Sequence, residues 1–113
     1  MPTNMKSATQ PLCLRIIRAL QRGPLRFNAI DRAVSAANPP HLSSRLKLLM
    51  RDGLVDRRVI TLGPPAAVEY RLTALGQDLA RPASALLDWT DRNADCVQQA
   101  RDQHRAVVAS QSS

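Results

Sequence analysis

Asn38-Pro39, followed at helical spacing by Leu42, Leu46, Leu49 and Met50 and closed by Gly53, dictates an amphipathic helix over this stretch. Asparagine supplies the side-chain oxygen an N-cap needs, proline is preformed for a first turn, and glycine accepts the backbone twist that ends a helix. At 100° per residue the leucines share one side. The opposite side carries Pro40, Ser44, Lys47 and Arg51, flanked by His41 and Ser43, and holds no acid. Such a segment buries one face in a core and turns a cationic, hydroxyl-bearing face outward.

The flanking patterns complete an architecture. Two extended runs follow, 54–61 and 67–73; in the second, Val68, Tyr70 and Leu72 alternate with Glu69 and Arg71 as a half-buried strand requires. Leu62-Gly63-Pro64-Pro65-Ala66 between them reads as a protruding hairpin loop. Ahead of the third helix two others are predicted. Pro11 opens the first, with Leu12, Cys13, Ile16, Ile17 and Leu20 on one face, Arg15, Arg18 and Arg22 elsewhere, and Gly23-Pro24 as its stop. After a short extended piece around Leu25, Phe27, Ile30 and Val34 form the inward stripe of a second helix that fades near Ala36-Ala37. Thr73 caps a last helix whose stripe runs through Leu75 and Leu79, resumes at Leu86 and Trp89, and extends to Cys96, Val97 and Ala100. Pro82 is expected to kink that helix or force a fresh start. The expected organisation is a flexible segment over 1–10, one domain over 11–93, and a helical extension with a mobile polar tail over 94–113. Helix, helix, helix, two-stranded hairpin, helix is the order of a winged helix-turn-helix, a mainly α fold with a small β-hairpin (α+β).

Charge points to the partner. Sixteen Lys and Arg against nine Asp and Glu give +7, and the excess is uneven. Residues 1–73 carry twelve basic and four acidic side chains, net +8, whereas 74–113 carry four and five, net −1. The front part therefore meets a polyanion, and the back is free for another task such as self-assembly. Phe27, Tyr70 and Trp89 are the only aromatics, too few to stack unpaired bases, so double-stranded DNA is the expected polyanion. No apolar run approaches the roughly 20 residues of a bilayer span, and Met1–Gln10 holds no apolar signal stretch. A soluble, cytoplasmic protein with no membrane partner is expected. Cys13 and Cys96 stand 83 positions apart, form no CxxC pair and are expected to be reduced thiols, Cys13 as core packing. A nucleophile placed near histidine and carboxylate, a glycine-rich phosphate loop and a metal-spaced ligand set are all absent, so neither catalysis nor a cofactor is expected.

An N-terminal helix end attracts phosphate through its free N–H groups, and Pro40, His41, Ser43 and Ser44 stand at that end here. His41, Ser43, Ser44 and Lys47 are the candidates for reaching base edges, with Arg45 joining them if its stem curls outward. Arg26, Arg51, Arg57, Arg58 and Arg71 are candidates for the backbone. Arg57 and Arg58 are neighbours on a strand and face opposite ways, so one of them is expected to reach phosphate. His41 has the alternative of bonding locally, and Trp89 of closing a cavity instead of a core or subunit contact.

Gly23-Pro24-Leu25-Arg26-Phe27-Asn28, Leu42-Ser43-Ser44-Arg45-Leu46-Lys47, Asp52-Gly53-Leu54-Val55 and Val68-Glu69-Tyr70-Arg71-Leu72-Thr73-Ala74-Leu75-Gly76 resemble the signature blocks of HxlR-type, MarR-like winged-helix transcription regulators, in order and spacing, over about 11–93. The resemblance implies bacterial homodimers whose first and last helices form the interface, with Leu12, Leu86 and Trp89 at the matching places, and whose third helix and wing contact a pseudo-palindromic operator. It also implies repression as the simplest output. Many such regulators sense oxidants through a cysteine ahead of the first helix; residues 1–10 here hold none, and Leu12 replaces the family's tryptophan. Against this reading stand two others: a winged-helix adaptor docking an acidic protein, and basic attachment to a membrane.

Overall fold

The computed structural model describes residues 10–34 and 39–111. Helix α1 (Pro11–Leu20) starts from an extended Gln10, with no side-chain cap and proline in its first turn. Cys13, Leu14, Ile16, Ile17 and Leu20 are buried, while Leu12 is half-buried. The chain leaves through Gly23, whose φ of +147° lies where a side chain would be strained. Strand β1 (Leu25–Arg26) and helix α2 (Phe27–Val34) follow, and α2 buries Ile30 and Val34. Helix α3 (Pro39–Arg51) buries Leu42, Leu46 and Leu49. The N-cap role expected of Asn38 lies outside the described residues, as do the side chains of Pro39 and Pro40.

The hairpin consists of β2 (Val55–Thr61) and β3 (Ala67–Leu72), joined by a loop over 62–66. The extended piece at Leu25 also pairs with β3, so the hairpin becomes a three-stranded antiparallel sheet in the order β1-β3-β2. Its register places Val55 opposite Leu72, Arg57 opposite Tyr70 and Arg58 opposite Glu69, with an irregularity between Val59 and Thr61. Leu25 and Arg26 face Tyr70 and Glu69 from the other side. One core unites the buried faces of α1, α2 and α3 with Leu54 at the entry to the hairpin, Val55 and Leu72 of the sheet, and Ala80, Ala83 and Leu87 of the last helix. Each of these large side chains contributes about 1.5–3 kcal/mol by leaving water.

Helix α4 (Ala74–Gln111) runs for 38 residues with Pro82 inside it, so of the two outcomes expected at that proline the fresh start is not seen, and the helix continues to Gln111 through the stretch expected to end in a polar tail. At about 1.5 Å per residue it is about 57 Å long, and the described chain extends 65 Å along its longest axis. Proline removes the hydrogen bond to residue 78, but Pro82 is exposed while Ala80 and Ala83 beside it are buried against α1, so packing holds the helix across the break. Its inward stripe is Gly76, Ala80, Ala83 and Leu87. Leu75, Leu86 and Trp89, expected to continue the apolar stripe, are each about half exposed on this chain.

The start of α4 shows why Leu72-Thr73-Ala74-Leu75-Gly76 has the form it has. Thr73 Oγ1 accepts a hydrogen bond from the Gly76 N–H at 3.1 Å, the geometry of an N-cap, and donates to the Gly53 carbonyl at 2.6 Å. The Thr73 N–H donates to the Leu54 carbonyl at 3.1 Å. Gly76 packs against that same carbonyl, leaving no room for a Cβ. Threonine and glycine thus lock the end of α3, the root of the wing and the start of α4 together.

Candidate nucleic-acid interface

Burying Leu42, Leu46 and Leu49 forces the rest of α3 outward. His41, Ser43, Ser44, Lys47 and Arg51 are all exposed, along one side of the helix. Arg51 lies 3.2 Å from Asp52 at the helix end, its own side chain more than half exposed and that of Asp52 mostly buried. The exposed side of Arg51 stays open to a further anion. Arg45 is only half exposed, and its charge lies close enough to Cys13 to pull that thiol's pKa downward. Burial wins over that pull. Together with a smaller push from Asp52 it raises Cys13 to about 11, so the fully buried thiol is uncharged at neutral pH. Cys96, by contrast, is exposed on α4.

The sheet sorts the wing arginines by face. Cross-strand partners share a face, so Arg26, Glu69 and Arg58 form one outward row, with Arg71 and Asp56 paired beside it. Arg57 belongs to the other face with Tyr70 and Leu25, as its position next to Arg58 requires. Arg57, Arg58 and Arg71 are all exposed. At the tip, Leu62 is 92% exposed.

Beside the loop end of β3 runs a groove of about 720 Å³ lined by residues 24–29, Arg32, Ala66 and Val68. It brings Arg26 together with Arg32, which sequence reasoning left out of the site. Its signal was present: Asn28 and Arg32 are four residues apart on the outer face of an amphipathic helix. Leu62 was likewise placed in the loop but given no role. Among the described residues no three of His, Cys, Asp and Glu gather as a metal site, and no helix is long and apolar enough to cross a membrane.

Residues 12–98 match the model of the HxlR-like helix-turn-helix family. The chain belongs to that family. It is 32% identical over 102 residues to the HTH-type transcriptional regulator YtfH of Escherichia coli K12, covering 90% of this chain and 80% of the relative. Its fold matches the solved structure of ytfH from Salmonella typhimurium with a TM-score of 0.74, at 31% identity and 87% coverage of each chain. The reduced form of the transcriptional regulator YodB from B. subtilis matches with a TM-score of 0.60 at 32% identity, over 81% of this chain and 93% of that one. This HxlR-like protein is accordingly a transcriptional regulator with a helix-turn-helix DNA-binding fold. Within that fold α2 and α3 form the helix-turn-helix and the β2–β3 hairpin forms the wing.

Proposed function

We propose that the protein acts as a homodimeric repressor that binds a pseudo-palindromic duplex operator and occludes a promoter. Two copies of α3 enter major grooves about 10 bp apart, or a multiple of that. His41, Ser43, Ser44 and Lys47 face the base edges, with Pro40 at the entering helix end and Arg45 reaching in beside them. Arg26, Arg51, Arg58 and Arg71 hold phosphates, Arg57 facing the other side of the sheet. The observation that carries this reading is the exposed, acid-free face of α3 directly behind its buried leucines.

Dimerisation has its own support in α4. Leu86, Trp89, Asn93, Val97, Ala100, His104 and Val108 recur at spacings of three, four and four, which keeps them on one line along a nearly straight helix. Leu86, Trp89 and Val108 on that line are each about half exposed on the single chain, and Leu12 on α1 is half-buried. A helix of this length beyond a small core is stable when such a stripe is covered by a second copy.

Selection from random duplex DNA tests the reading. A two-fold symmetric motif is expected, with base preference altered by Lys47→Ala. If about six to eight phosphates are neutralised per dimer, log affinity falls against log salt with a slope of about −0.9 per phosphate. Failure to enrich any motif would refute operator recognition, and would be the result for an adaptor docking an acidic protein.

A further inference from the structure

The wing changes character along its length. Its stem carries the row of Arg26, Glu69 and Arg58, with Arg71 and Asp56 beside it, whereas residues 59–68, the whole distal part, hold no charged side chain. Val59 and Ile60 are exposed there, and Leu62 is the most exposed large apolar side chain among the described residues. A leucine held in water at the tip of a ribbon adds nothing to folding, so its burial is left for a bound state. Given the operator binding proposed above, we infer that Leu62 is an apolar wedge that enters the minor groove, opens a base step and bends the operator.

The stem arginines set how deep the tip goes. A strand advances about 3.4 Å per residue at most, so Leu62 stands up to about 13 Å beyond Arg58. The minor groove is about 7.5 Å deep. With Arg58 on a phosphate at the rim of the groove, the tip therefore reaches its floor. The irregularity between Val59 and Thr61 adds twist to the ribbon just below the tip. Pro64 and Pro65 each fix a backbone torsion of the loop, which presents Leu62 from a stiffened turn.

Chemistry sets which step the wedge opens. A tip that read the groove by charge would carry arginine and favour narrow A-tracts. This tip has no charge to offer and gains by burying leucine between bases, which costs least at TA and CA/TG steps, where the duplex kinks most easily. The wing thus adds a base preference outside the stretch that α3 faces. A protein could also cover a leucine, but the cationic stem directly behind the tip places it beside a polyanion. Phosphate contacts by the stem need no insertion, so the wedge is a separate act with its own readout.

The test uses a duplex selected with the native chain and end-labelled for energy transfer, with the step under each wing, located by hydroxyl-radical footprinting, made TA or AA. The native chain is expected to bring the ends together and to bind the TA duplex at least about fivefold more tightly than the AA duplex. Leu62→Ala is expected to remove most of the bend and of that preference and to weaken binding at least about fivefold, with the thermal melt of the protein unchanged and the salt slope kept, since no charge is lost. Leu62→Arg is expected to turn the preference toward AA. Unchanged bend and affinity in Leu62→Ala, where Lys47→Ala still alters binding, would overturn the wedge and leave operator recognition standing. A defect of Leu62→Ala in transcription at unchanged DNA affinity would overturn it too, and would assign the tip to a protein. A native chain that selects no motif would sink operator recognition and the wedge with it.

Discussion

Replacing Gly76 by alanine separates packing from helix propensity, because the two predict opposite signs. In an exposed helical turn the change stabilises by about 1 kcal/mol, since glycine is the poorer helix former. Gly76 is not in such a turn. A Cβ there meets the Leu54 carbonyl, and beyond it a side-chain carbon of Leu72 at 3.1 Å. The obstacle is backbone, which cannot swing aside as a flexible side chain does. Overpacking of this kind costs about 1–3 kcal/mol. Moving Leu54 away also strains the bond it accepts from Thr73, at 3.1 Å, whose net worth is about 1 kcal/mol. Against the propensity gain, the balance is a loss of about 1–3 kcal/mol. Urea denaturation monitored by circular dichroism reads it directly, with Ala85→Gly, at an exposed position of the same helix, as the reference for ordinary propensity and an expected loss of about 1 kcal/mol. A Gly76→Ala protein as stable as the native chain, or more so, would refute the packing of α4 against the wing root.

Other expectations follow from the site and the core. Arg58→Ala is expected to weaken duplex binding and flatten the salt slope by about 2 per dimer, whereas Glu69→Ala, which removes the acid between Arg26 and Arg58, keeps or tightens it; salt titrations by fluorescence anisotropy check both. The raised pKa of Cys13 makes stability depend on alkaline pH: the unfolded thiol ionises near 9.0 and the folded one near 11, so stability is complete below pH 9 and falls between those values. The loss amounts to about 1–3 kcal/mol, and parallel melts of native protein and Cys13→Ala at pH 7 and 10 are expected to show it only in the native chain. Trp89→Ala is expected to leave the folded subunit's helicity intact while weakening self-association at least about tenfold, as sedimentation equilibrium would register.

Large side chains at regular spacing were legible in the sequence, and small ones were not. Leu42, Leu46 and Leu49 announced the buried side of α3, and the alternation at Val68, Tyr70 and Leu72 announced β3; both appear in the structure as read. In α4 the same logic selected Leu75, Leu79, Leu86 and Trp89, of which Leu79 packs against the core, whereas the helix buries Gly76, Ala80, Ala83 and Leu87. Glycine and alanine carry little hydrophobic signal, yet they let α4 approach α1 and the wing root closely. The unbroken course through Pro82 was hidden for a related reason, since local rules see the missing hydrogen bond but not the tertiary contacts that outweigh it. At the candidate site, exposure of His41, Ser43, Ser44 and Lys47 followed from their positions relative to the leucines. Two features depended on tertiary structure: the pairing of Leu25-Arg26 with β3 and the nearness of Arg45 to Cys13.

Methylation protection on a selected duplex addresses the major-groove placement of α3 most directly, because dimethyl sulfate attacks guanine N7 from the groove that helix is proposed to fill. Two protected patches centred about 10 bp apart, or a multiple of that, and lost or shifted in Lys47→Ala, are the expected result. Bound DNA whose guanines remain uniformly reactive in the major groove would contradict it.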